Sequence, residues 1–162
     1  MKELLIVGWL MGVTPEEVTC LADNMYFEAR NQGFAGQLAV TNVVMNRVAD
    51  KRYPDTICGV VHQGPTRLSW KNTGELIPIK NRCQFSWYCD GKPDIPEEKK
   101  TYATLHKLAF DILFQVTPYL DITEGATHYH ADYILPSWAA SKTMTIEIED
   151  HIFYKWEEDN DD

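Results

Sequence analysis

Thr14-Pro15-Glu16-Glu17-Val18-Thr19-Cys20-Leu21-Ala22-Asp23-Asn24-Met25-Tyr26-Phe27-Glu28-Ala29-Arg30 is the stretch whose reading decides the fold. Thr14 is suited to cap a helix, Pro15 fits its first turn, and Glu17 follows the cap by three positions, a capping-box pattern. Val18, Leu21, Ala22, Met25 and Ala29 then recur at helical spacing and define one buried face. The helix is expected to end near Asn31 to Gly33. At about 100° per residue those five apolar positions span an arc of about 100°. Glu28 falls about 20° outside it, beside Leu21 and one turn from Met25. Asp23 and Arg30 are expected to point to solvent. Glu28 alone therefore brings a carboxylate to the margin of the core, where lost hydration disfavours its charged form and raises its pKa. A carboxylic acid kept protonated near neutral pH is what protonation of a leaving oxygen requires. The plain structural alternative is a boundary glutamate paired with a base such as Arg47.

Working outward, a second helix is predicted over Phe34 to Ala49. Its apolar residues, Leu38, Ala39, Val40, Val43, Val44, Met45 and Val48, lie nearly all round the wheel, the mark of a central buried helix. Asn42 and Asn46 share one face, and buried amides need partners, so this stripe either braces the core or lines a polar cleft. Gly and Pro break residues 50 to 95 into short pieces. Thr56 to Gln63 reads as a short helix or strand, and Gly64 to Lys80 as a long loop of the kind that often carries function. Asp94-Ile95-Pro96-Glu97 resembles a second capping box. It opens a helix with Leu105, Leu108, Ala109 and Ile112 on one side, ending before Pro118. Beyond it the period falls to two. Thr143 to Ile148 and Ile152 to Tyr154 predict a hairpin turning near Asp150, with Thr127 to Tyr129 as a possible third strand. The expected class is α+β, mainly α, with a small antiparallel sheet near the C-terminus.

The chain has 162 residues, a length that suits one domain. We divide it into an apolar segment at 1–15, one domain at 16–156 and an acidic tail at 157–162. A formal net charge of −9 argues against nucleic acid as a partner. Five Trp, eight Tyr and six Phe leave aromatic rings to spare for a groove that stacks sugars. Cys20, Cys58, Cys83 and Cys89 form no CxxC pair; they permit two disulfides in any of three pairings, or four thiols. The run Leu4 to Met11 is too short to span a bilayer, and no A-x-A-like site follows it. It is expected to pack on the domain as a short helix, without stable membrane insertion.

The motifs then bring a family into view. Tyr26-Phe27-Glu28-Ala29-Arg30, Gly36-Gln37-Leu38-Ala39-Val40 and Val43-Val44-Met45-Asn46-Arg47-Val48 are similar to the spore cortex-lytic type of cell wall hydrolase, the SleB/CwlJ family. The resemblance continues in order through Tyr53-Pro54-Asp55-Thr56-Ile57-Cys58, Cys83-Gln84-Phe85-Ser86-Trp87, Cys89-Asp90-Gly91, Ala126-Thr127-His128-Tyr129-His130, Pro136 with Trp138, and His151-Ile152-Phe153-Tyr154. Asn31 stands where the family usually has Gly. The resemblance implies a lysozyme-like, mainly helical fold. It also implies peptidoglycan as substrate, Glu28 as catalytic residue, and lytic transglycosylase action between N-acetylmuramic acid and N-acetylglucosamine.

On that reading Glu28 protonates the glycosidic oxygen and later accepts a proton as base. Asp90, Asp94 and Asp132 are candidates for a second carboxylate, but the single-acid route is favoured. Gln37, Ser86, Trp87, Thr127, His128 and Tyr129 are the expected substrate-binding residues; Trp87 and Tyr129 have core packing as their alternative. Asn46 and Arg47 are expected to brace the site. No metal or other cofactor is expected, and the protein is read as a monomer. It is expected to act at the bacterial wall, held in the cytoplasm until release if it is a phage endolysin and exported otherwise. Two rivals remain. One is a zinc amidase or peptidase built on His128 and His130 with Asp132 or His151, although no HExxH motif is present. The other is a wall-binding module without activity.

Overall fold

The computed structural model describes residues 13–114 and 119–158. Most of the apolar segment at 1–15 and of the acidic tail at 157–162 lies outside the described residues, so the expectations made for them do too.

Helix α1 runs over Pro15–Ala29, with the Thr14 side chain accepting a hydrogen bond from the Glu17 amide. The capping box is only half formed. The Glu17 carboxylate reaches across to the Ile57 and Cys58 amides at 2.8 and 3.3 Å. There it satisfies the open N-terminus of the short helix α3, Ile57–Val61, whose donors have no intrahelical acceptor. A disulfide joins Cys20 on α1 to Cys58 on α3, with Cα atoms 5.3 Å apart. The second disulfide closes a tight loop from Cys83 to Cys89.

Helix α2, Phe34–Ala49, occupies the predicted span. It is apolar all round because it stands between two clusters. On one side Val44 joins Val18, Leu21 and Met25 of α1, Val60 and Val61 of α3, and Leu105, Ala109 and Leu113 of a later helix, α4 (Lys99–Leu113). On the other, Ala39 and Val43 pack against Ala126 and Phe153 beneath the sheet. Gly33 caps α2 without a side chain, so the Glu149 carboxylate does the capping, accepting from the Gly33 amide at 3.0 Å. Side chains on Gly33 or Gly36 would collide with that carboxylate. The two glycines thus mark where the β-hairpin turn docks on the helix.

The Asn42 and Asn46 stripe braces a loop. Asn42 donates to the Tyr119 hydroxyl and the Leu120 carbonyl and accepts from the Ile122 amide, all at 3.0 Å. Asn46 donates to the Ala126 carbonyl at 2.9 Å and to Asp121 at 3.0 Å. Helix α4 spans Lys99–Leu113, starting later than Asp94. Its first turn is organised from outside: the Glu98 amide donates to the Tyr26 hydroxyl at 3.1 Å, a tertiary contact that displaces the local capping pattern.

Within the predicted 64–80 loop, strands β1 (Thr66–Leu68) and β2 (Leu76–Pro78) form an exposed antiparallel arm. The main sheet has the order β3–β5–β4, all antiparallel, from His128–Ala131, His151–Lys155 and Thr143–Ile148. The architecture is the expected mainly helical α+β one. Among the described residues no helix is long and apolar enough to cross a membrane.

Candidate active site

Glu28 projects from the last turn of α1 into a cleft of about 220 Å³. Arg47 of α2, Gln84, Phe85 and Ser86 of the Cys83–Cys89 loop, His128 and Tyr129 of β3, and Trp138 complete the lining. Four of the seven expected site residues therefore meet: Glu28, Ser86, His128 and Tyr129. The register that sets Tyr129 opposite Phe153 buries its ring against the second core cluster and aims its hydroxyl at α1. That hydroxyl donates to Glu28 Oε2 at 2.8 Å across 101 residues of sequence.

Burial raises the Glu28 pKa above the ordinary carboxylate value, and the Tyr129 hydrogen bond and the Arg47 charge oppose that rise without cancelling it. Burial and the neighbouring Glu28 push the Tyr129 phenol far up, so it stays protonated and donates. His128 is pushed down to about 4 by burial and by Arg47, Lys142 and Arg52, which leaves it neutral near pH 7. Its Nδ1 lies 2.9 Å from the Thr127 hydroxyl. Among the described residues no second carboxylate lines the cleft; Asp90, Asp94 and Asp132 are elsewhere.

The other three expected site residues stand outside the cleft. Trp87 is 7% exposed, stacks on Phe27 at 4.8 Å and donates its indole N–H to Asn24, which makes it core. Gln37 donates to the Ala29 and Gln32 carbonyls at 3.4 and 3.1 Å, tying down the free end of α1. Thr127 is buried; its carbonyl accepts from Arg47 Nε at 2.7 Å, so it supports the site from behind. Thr127 also lines a larger groove of about 620 Å³ with Lys51, Arg52, Lys155 and Trp156. Glu28 is not among the residues lining that groove; it lines the smaller cleft.

Asp23, expected in solvent, is half-buried and accepts from the Tyr102 hydroxyl at 2.7 Å, because α4 covers this side of α1. Arg30 is exposed as expected and pairs with Glu98 at 3.2 Å. Sequence reading passed over Gln84, Phe85 and Trp138 as lining residues. A signal for the first of these was present: Gln84-Phe85-Ser86-Trp87 alternates polar and apolar, and the structure exposes Gln84 and Ser86 while burying Phe85 and Trp87. Of the zinc candidates, His130 has both ring nitrogens engaged, by the Ala131 carbonyl at 2.7 Å and the Tyr154 hydroxyl at 2.9 Å.

Known proteins share this fold. The catalytic domain of the germination-specific lytic transglycosylase SleB from Bacillus anthracis superposes with a TM-score of 0.62 at 24% identity, covering 89% of this chain and 98% of that one. The Bacillus cereus SleB catalytic domain gives a TM-score of 0.59, again at 24% identity, covering 89% and 93%. A spore cortex-lytic enzyme of Halalkalibacterium halodurans is 25% identical over 143 residues, 88% of this chain and 36% of the relative. Another, from Oceanobacillus iheyensis, is 35% identical over 52 residues, 32% of this chain and 19% of the relative. The chain thus spans between about a fifth and just over a third of the length of these curated relatives. Glu28 lies three residues before the span matched by the family profile. That profile, described as cell wall hydrolase, matches residues 31–154, and the chain belongs to the cell wall hydrolase family.

Proposed function

We propose that this chain is a peptidoglycan-cleaving glycosidase of the lytic transglycosylase kind, with Glu28 as its single acid and base. One observation carries the reading: a carboxyl group buried in a cleft, its pKa raised by burial, held in place by a tyrosine hydroxyl at 2.8 Å. Burial favours the protonated form that a proton donor needs, and the tyrosine partner aims it. Glu28 gives its proton to the oxygen joining N-acetylmuramic acid to N-acetylglucosamine. The bond from that oxygen to the muramic anomeric carbon breaks, and the departing sugar keeps the proton as a hydroxyl. Positive charge left on the muramic residue is met by the Glu28 carboxylate. The muramic 6-hydroxyl then attacks the anomeric carbon and returns its proton to Glu28, leaving a 1,6-anhydro end and consuming no water. Among the described residues Glu28 is the one carboxylate in the lining, which favours this route over a two-carboxylate hydrolysis.

Ser86, His128 and the Trp138 ring supply the polar and stacking groups that would hold the sugars, with neutral His128 free to exchange hydrogen bonds with hydroxyls. Peptidoglycan strands are the substrate, and the bacterial wall is the place of action. Digestion of purified sacculi, read by mass spectrometry, tests this. We expect 1,6-anhydro ends from the parent protein and none from Glu28→Gln, with the fold retained. Reducing muramic ends would make it a muramidase and free stem peptides an amidase. Equal digestion by Glu28→Gln would remove Glu28 from the chemistry, and release of nothing by the parent would leave a binding module.

A further inference from the structure

Arg47 is the buried group in the cleft that the mechanism above does not use. It is 5% exposed, at the last turn of α2, and its anchoring is unusually complete on one side. Nε donates to the Thr127 carbonyl at 2.7 Å. The guanidinium carbon sits 5.2 Å from the ring centres of both Tyr53 and Phe85. Yet Nη1, equally buried, has no hydrogen-bond partner among the described residues. The ion pairs among the described residues join Arg30 to Glu98, Arg52 to Asp50 and Lys107 to Asp111; none takes Arg47.

A buried guanidinium charge is costly unless something opposes it. Ring faces and one carbonyl supply part of that. The groups that attract the charge are Tyr53, Tyr129 and Glu28. Both phenols are uncharged at ordinary pH, since burial raises each of them. Glu28 is the one partner that can become a full anion. We infer that Arg47 is a positioning residue that holds the counter-charge for Glu28, favouring the carboxylate that forms when Glu28 gives up its proton.

The spacing suits that role. A contact ion pair would keep Glu28 ionised and unable to act as an acid. A cation in the same cleft, fixed by Thr127, Tyr53 and Phe85 outside contact distance, lets burial favour the protonated acid and eases its ionisation during the reaction. The titratable and charged groups facing the pair are Tyr129 and His128 from β3 and Tyr53 from the segment after α2; His128 is neutral near pH 7.

This inference rests on the proposed role of Glu28, and its test is separable from that role. Carboxyl-¹³C-glutamate labelling allows the Glu28 resonance, identified by its absence in Glu28→Gln, to be titrated directly in the full chain. Arg47→Met and Arg47→Gln are expected to move its midpoint upward, and Arg47→Lys to leave it near the parent value. Turnover on sacculi in the two neutral variants falls about tenfold with KM little changed, the scale of a weakened general acid. An unmoved midpoint in a folded neutral variant, or the same shift in Arg47→Lys, overturns the inference whether or not Glu28 proves catalytic. If the neutral variants do not fold, the Arg47→Lys titration decides: a Glu28 midpoint near the parent value supports the counter-charge, and an upward shift overturns it.

Discussion

Tyr129→Phe removes a single oxygen from the site and nothing from the core. The phenol hydroxyl donates to Glu28 Oε2 at 2.8 Å inside a buried cleft, while the ring packs among Ala39, Val43, Ala126 and Phe153. A hydrogen bond to a charged group contributes about 1.5–3 kcal/mol. Taking about 2 kcal/mol, its loss disfavours ionised Glu28 by about 30-fold. The transition state has only part of that carboxylate character, so turnover is expected to fall about fivefold to tenfold. The sign is fixed by the direction of the shift. Glu28 already has a raised pKa in the folded protein, so its contribution to stability is complete below the ordinary carboxylate range and is lost as pH rises through the raised value. Taking away the Tyr129 donor raises it further. The alkaline limb of the activity profile therefore moves up, and the variant loses more stability at pH 7 than at pH 4. Release of soluble muropeptides from sacculi across pH, with denaturation curves at the two pH values, measures both. A folded Tyr129→Phe protein with parental turnover and an unmoved or downward-shifted limb would refute the idea that this hydroxyl serves the carboxylate.

Two further expectations use other parts of the structure. Cys20–Cys58 closes 38 residues and Cys83–Cys89 only 6. On the chain-entropy relation the first stabilises by about 4 kcal/mol and the second by about 2 kcal/mol, so paired Cys→Ser variants should separate in that order in urea denaturation. Trp87→Ala empties a core site and orphans Asn24, costing about 3–5 kcal/mol, while Trp138→Ala melts closer to the parent and instead weakens binding to sacculi about tenfold. Matched binding losses in the two variants would show that the cleft has been drawn around the wrong tryptophan.

The sequence alone determined what short-range rules control. Helical periodicity placed α1 and α2, period-two alternation placed the terminal hairpin, and the all-round apolar surface of α2 announced a central helix. It also isolated Glu28, because a wheel needs only the residues of one helix to show a carboxylate at an apolar margin. The structure decided everything that depends on partners far along the chain. It set α4 to begin at Lys99, since Tyr26 captures the Glu98 amide, and it sent Glu17 to α3 and left Thr14 to cap α1 alone. It paired the cysteines, turned Trp87 inward and brought Trp138 to the cleft. Above all it carried Tyr129 across 101 residues to Glu28. Spacing within an element fixes which faces are apolar, but the neighbour each polar atom meets is set only when the elements pack, and it is that neighbour that sets the acidity of a buried acid.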